Sequence, residues 1–179
     1  MMKTNTKKLV LSGLFLALGL LLPFLTGQIP QIGNMLCPMH LPVFLCGMIC
    51  GWPYGALIGL ILPPLRFLLF SMPPIFPTGL AMALELCTYG LVSGLLYQRL
   101  QHNVKNIYLS LIAAMVSGRI IWGIARFIFA GLSSSEFGFA MFLSGALTTA
   151  IPGIILQLIL IPLIISRLPA FSKPKQRVY

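Results

Sequence analysis

Apolar runs with short polar breaks organise this chain from end to end. The first run extends from about Leu9 to Leu25, behind Lys3, Lys7 and Lys8. A bilayer core demands about 20 apolar residues of a helix, so this run predicts a first membrane helix. It is too long for the apolar part of a usual signal peptide, and no small-residue cleavage site follows at the right distance. A polar, Gly- and Pro-bearing segment, Thr26–Met39, separates it from a short run over about His40–Gly51. As a helix that run spans only about 18 Å, so it is either tilted and extended at its ends or partly re-entrant. Gly51-Trp52-Pro53-Tyr54-Gly55 reads as a turn. A third helix is predicted over about Ala56–Phe70. It should kink near Pro63, since proline is tolerated in a membrane helix where neighbours satisfy the freed carbonyl. Ser71–Pro77 reads as a stiff apolar loop, followed by a fourth helix over about Thr78–Tyr97 and a polar loop, Gln98–Asn106. A fifth helix is predicted over about Ile107–Ala130, a loop at Ser133-Ser134-Ser135-Glu136, and a sixth helix over about Phe139–Ile165, bent near Pro152.

The pattern predicts an all-α integral membrane protein. Its bundle of about six transmembrane helices forms one domain over residues 1–179, ending in a basic tail at 167–179. Composition agrees: 58% of residues are hydrophobic and 8% charged, too few charges to cover a water-soluble surface. The net charge of +10 comes from twelve Lys and Arg against two Glu. Most of the excess lies at the chain ends and in the Gln98–Asn106 loop, where the positive-inside rule places it. Both termini and that loop are therefore expected on the cytoplasmic side, which an even helix count allows. The segments at 26–39, 71–77 and 131–138, which hold no Lys or Arg, then share the outer face. No basic stripe is interleaved with aromatics in a soluble segment, so the expected large partner is the lipid bilayer and not nucleic acid. Cys37, Cys46, Cys50 and Cys87 form no C-x-x-C pair and read as small buried hydrophobes.

Ionisable residues inside membrane helices are costly and are usually functional or paired. Here they are Arg66, Glu85, Arg119 and Arg126, with His40 at an outer helix end. Arg66, Glu85 and Arg126 fall in the outer half. Arg119 and Arg126 are seven apart with Trp122 between them, so helix 5 presents an Arg–Trp–Arg stripe. Arg66 can instead snorkel to headgroups, and one arginine can pair with Glu85 and only hold helices together. Pairing cannot account for all of them, because three arginines face one glutamate. An outward-facing site with surplus positive charge suits a ligand carboxylate, which arginine grips in a bidentate fork. Phe76, Tyr89 and Trp122 can line its apolar part, or simply pack. Asn34, His40 and Gln157 can supply hydrogen bonds.

Two His, no Asp and two Glu leave no set at metal-ligand spacing. No phosphate-binding Gly loop is present, and no nucleophile with an activating base can be picked out. The expectation is a non-enzyme without cofactor, whose transport, if energised, draws ATP hydrolysis from another protein. On helix 1, Gly13 and Ala17 are four apart beside Ser12 and Gly19. Small residues at that spacing admit a close helix, either a partner's or one of this bundle.

The stretch Pro38-Met39-His40-Leu41-Pro42-Val43 through Gly47 and Gly51, then Gly55, Gly59 and Pro63, resembles the substrate-binding S components of energy-coupling factor (ECF) vitamin transporters. So do Met72-Pro73-Pro74-Ile75-Phe76-Pro77, Glu85-Leu86 and Thr88-Tyr89-Gly90-Leu91. Within that family the chain looks closest to the pantothenate type. The resemblance implies a multi-pass subunit of a bacterial cell membrane that binds a vitamin from outside. It also implies association with a transmembrane coupling subunit and two cytoplasmic ATPases. Gly13 and Ala17 stand where family members often carry alanines that dock on the coupling subunit. Family binding sites map onto Asn34, His40, Glu85, Tyr89, Arg119, Trp122, Arg126 and Gln157. A surplus of buried arginine fits pantothenate or folate, both carboxylates, and leaves a neutral pyridoxine-like substrate unexplained; cobalamin-type S components are a further alternative. Outside the family, a self-contained secondary transporter would need inverted repeats, which the two halves do not display. A membrane enzyme would need a catalytic set.

Overall fold

The computed structural model describes residues 2–25, 37–100, 103–133 and 150–167. These form α1 (Met2–Leu25), α2 (His40–Cys50), α3 (Trp52–Phe70), α4 (Leu80–Arg99), α5 (Val104–Ser133) and α6 (Ile151–Arg167), with no strand among the described residues. The segments Asn5–Phe24, Trp52–Phe70, Ile75–Arg99 and Val104–Gly131 are each long and apolar enough to cross a membrane. Their outer faces are apolar too. Ile112, Val116, Ile120 and Ile124 on α5, and Ile151, Ile155, Ile159 and Leu163 on α6, recur every four residues and are exposed. Stripes at that spacing lie on one helix face, and here lipid solvates them. The protein is an all-α integral membrane protein.

Glycines set the centre of the bundle. The chain reverses between α2 and α3 at Gly51, whose φ of 111° favours a residue without Cβ. Its N–H donates to the Cys46 carbonyl at 3.3 Å. Trp52 already begins α3, and Pro53 sits in its first turn, where a missing N–H removes no helical bond. The expected five-residue turn at 51–55 is thus a single glycine. Gly47 and Gly55 flank the reversal, and a Cβ on Gly55 would lie 2.5 Å from the Gly47 Cα. A Cβ on Gly90 would strike the Gly55 backbone, and one on Gly59 the Leu86 backbone. Three helices therefore touch backbone to backbone, the approach that small residues allow in membranes.

This packing fixes relative depth. Gly55 lies opposite Gly90 and Gly59 opposite Leu86, so α3 and α4 run antiparallel. The short second helix is not extended at its described ends. Its eleven residues are surrounded by α1, α3, α4 and α6, and most are buried. Such a helix is about 16 Å long. Its last turn lies beside Gln98 near the end of α4, and its first residue, His40, ends inside the bundle beside Glu85.

α3 continues through Pro63 and Pro64 and closes at Ser71, left-handed at φ 58°, whose N–H donates to the Phe67 carbonyl at 2.7 Å. The expected loop 71–77 is irregular through Phe76, which is extended at φ −120° and ψ 135°. Ile75–Gly79 is a wide turn closed by the Gly79 N–H donating to the Pro74 carbonyl at 2.8 Å, and it leads directly into α4. Pro152 lies in the first turn of α6; the residues before 150, against which a bend there would be seen, lie outside the described residues. The first half of the expected sixth helix, the tail beyond Arg167 and most of the first outer segment, with Asn34, lie outside the described residues.

Candidate functional site

Glu85, on the inner face of α4, is 1% exposed. Three groups from three helices converge on its Oε1 atom. Tyr89, one turn further along α4, donates its hydroxyl at 2.6 Å. Arg119 of α5 places Nη1 at 3.0 Å. His40, the first residue of α2, places Nε2 at 3.8 Å. A buried carboxylate without a counter-charge would be expensive in this apolar setting, and the guanidinium together with the phenol offsets that cost. The expected pairing of Glu85 with one arginine is therefore with Arg119.

Aromatic rings build the wall. Tyr89 stacks on Phe44 at 4.8 Å and tilts against His40 at 5.4 Å. The Arg119 guanidinium lies 5.9 Å from the centre of the Trp122 ring, a cation–π contact. Gly118, immediately before Arg119, makes room for all of this: a Cβ there would overlap the Tyr89 ring. Gln157 of α6 is buried and donates to the Cys37 carbonyl at 3.4 Å. The Cys37 thiol lies beside Arg119. This segment therefore ties α6 to the cluster, and Cys37 is a polar neighbour of the site, not simply a small hydrophobe.

A second tier lies closer to the Ile75–Gly79 turn. Arg126, seven residues beyond Arg119, is about 10.5 Å further along α5. Its Nη1 donates to the Thr78 hydroxyl at 3.2 Å. From the opposite side, Arg66 of α3 donates Nε to the Met72 carbonyl at 3.2 Å. Arg66 is 6% exposed, so it does not snorkel to headgroups. Two arginines thus brace one segment, 71–79, through neutral oxygens.

The structure brings together His40, Glu85, Tyr89, Arg119 and Trp122, with Gln157 joined through Cys37 and Arg126 one tier away. Phe76 does not belong to this group. It is 42% exposed and pairs with Phe129 at 5.4 Å. Sequence reasoning missed Phe44, Thr78, Cys37 and Gly118. An interior helix glycine next to a membrane arginine was the available signal for Gly118, because glycine there weakens the helix unless space demands it.

On α1, Gly13 and Ala17 face outward, and a Cβ on Gly13 would meet nothing within 4 Å. Ser12 and Gly19 make the internal contacts. Ser12 accepts a hydrogen bond from the Cys46 thiol at 3.6 Å, and a Cβ on Gly19 would meet Leu62 Cδ2 at 2.6 Å. The two alternatives for the small residues therefore divide, with Ser12 and Gly19 packing inward and Gly13 and Ala17 lying on an open face.

No curated protein and no solved structure matches the chain. The family model for the ECF transporter substrate-specific component matches residues 7–165, a range that holds most of every described helix and both tiers of the site. The chain belongs to the family of ECF transporter substrate-specific components, membrane-integral transport subunits and not enzymes.

Proposed function

We propose that this chain captures a small vitamin carboxylate, of the pantothenate type, at the outer face of a bacterial cell membrane and hands it inward as one subunit of an ATP-driven importer. One observation carries the substrate class. The membrane-spanning parts of α3, α4 and α5 hold three arginines, Arg66, Arg119 and Arg126, against one glutamate, Glu85, which Arg119 engages at 3.0 Å. A guanidinium in such a setting grips a carboxylate in two parallel hydrogen bonds. The outer face follows from the lysines and arginines near the chain ends and in the loop after α4. The family implies the partners: a transmembrane coupling subunit, against which the open Gly13–Ala17 face of α1 would dock, and two cytoplasmic ATPases.

The test is equilibrium binding of a vitamin panel to the purified protein, followed by uptake into vesicles with and without the coupling subunit and ATPases. Tight binding of pantothenate, and uptake only with ATP and the partners, supports the reading. Tight binding of a neutral vitamin instead would sink the carboxylate argument. ATP-independent uptake by this chain alone would make it a secondary transporter.

A further inference from the structure

Arg66 is a buried guanidinium whose charge the described residues leave unanswered. It follows Gly59 by seven residues on α3 and so continues the glycine face that presses on α4. Gly59 lies against Leu86, the neighbour of Glu85, and Arg66 is about 10.5 Å from it along α3, toward the segment 71–79. The opposite face of α3 carries Leu57, Leu60, Ile61 and Leu68, all exposed where lipid would lie. Arg66 itself is 6% exposed. Its Nε donates to the Met72 carbonyl at 3.2 Å, whereas its Nη1 is buried and makes no hydrogen bond. The chain holds two acids, Glu85 and Glu136. Glu85 is committed to Arg119 at 3.0 Å, and Glu136 lies outside the described residues. Among the described residues no carboxylate pairs with Arg66.

A charge inside a membrane bundle without a counter-charge is costly, and a buried donor left unmet adds to that cost. A carboxylate relieves both at once. It accepts two parallel hydrogen bonds from one edge of a guanidinium. With Nε committed to Met72, the edge that remains is the one carrying Nη1. A lipid headgroup is the poorer source of this anion, because Arg66 sits on the helix face opposite the exposed leucines. We propose that Arg66 holds the ligand's carboxylate, end-on through its two terminal nitrogens, beside the segment 71–79. α3 then joins α4 and α5 in the binding site and supplies the selectivity for an anion. This inference rests on the small-carboxylate reading above and names the arginine that the carboxylate meets.

Two probes isolate the carboxylate: pantothenate and its alcohol analogue panthenol, which lacks it. Affinities for both are measured for the full-length protein in lipid nanodiscs and for Arg66→Gln, Arg66→Lys and Arg119→Gln, each checked for its melting midpoint. Wild-type protein should prefer pantothenate by about tenfold to hundredfold, the range for a hydrogen bond to a charged group. In Arg66→Gln that preference should collapse, with the affinity for panthenol unchanged. A merely structural arginine would weaken both probes alike and leave their ratio intact, which overturns the proposal. If Arg66→Gln does not fold, Arg66→Lys decides, since it keeps the charge but not the fork: a smaller ratio supports the proposal and an unchanged ratio overturns it. Collapse of the preference in Arg119→Gln, with Arg66→Gln unaffected, also overturns it. So does a ratio untouched in Arg66→Gln together with a melting midpoint that rises with phosphatidylglycerol in the wild type alone, which would assign Arg66 to a lipid headgroup. A folded wild type that binds the two probes equally, or neither, overturns the carboxylate reading and this inference with it.

Discussion

Replacing Gly118 by alanine isolates the contact that positions Tyr89. Intrinsic propensity favours the change, since alanine in a helix interior is better than glycine by about 0.8–1 kcal/mol. Packing opposes it, because the new methyl would overlap the Tyr89 ring. That ring is 2% exposed and wedged against Phe44 and His40, so it has nowhere soft to go. Overpacking of a tight core costs about 1–3 kcal/mol. If the ring moves, its hydroxyl leaves Glu85 Oε1, a hydrogen bond to a charged group and so another 1.5–3 kcal/mol or about that. The expected net loss is roughly 2–5 kcal/mol. The assay is thermal unfolding of the purified protein in lipid nanodiscs, repeated in a Tyr89→Ala background. With the ring gone, the same Gly118→Ala change should raise stability by about 1 kcal/mol, its helix-propensity gain alone. The sign reversal is the diagnostic. A stabilising effect of Gly118→Ala in the wild-type background would refute the reasoning, as would an equal loss in both backgrounds.

Other perturbations read different parts of the molecule. Glu85→Ala strands Arg119 without its carboxylate and should destabilise by about 3–5 kcal/mol, while Glu85→Met with Arg119→Met should recover most of it; melting midpoints of the two variants check this, and equal losses would mean the pair is not the issue. Gly90→Ala drives a methyl into the Gly55 backbone, where no side chain can yield, so folded protein should be lost, as size-exclusion profiles would report. Gly13→Leu enters open space, so vitamin binding should persist while ATP-driven uptake with the partner subunits fails; unchanged uptake would remove this face from docking. The Cys37 thiol, beside Arg119, should react with maleimide more slowly when the site holds ligand, measured by mass spectrometry with and without saturating vitamin in a variant lacking the other three cysteines.

Helix positions were legible because membrane solvation writes them in long apolar runs. The clearest error lies where glycine misleads. Gly51 to Gly55 reads as a turn by composition, yet Gly55 is there to let α3 press on α2, and only Gly51 bends the chain. Pro77, by contrast, does mark a loop, since Phe76 before it is extended at φ −120° and ψ 135°. The ionisable members of the site were visible for an energetic reason, since a charge in a bilayer must be paired or used, and His40, Glu85, Arg119 and Arg126 stood out on that ground. Their partners did not stand out. Counting three arginines against one glutamate states a surplus but not its owner, because Arg119 and Arg126 share one helix face and differ only in depth. Depth is set by α4 and the turn before it, which bring Glu85 level with Arg119 and Thr78 level with Arg126. Along that α4–α5 seam Gly118 packs where a Cβ would overlap the Tyr89 ring, a contact made by a residue with no charge and no pattern of its own. The same logic explains Phe76, whose ring looked like a wall of the site. Its residue lies in the turn outside α4, beyond the tier of Arg126, where Phe129 is the ring within reach.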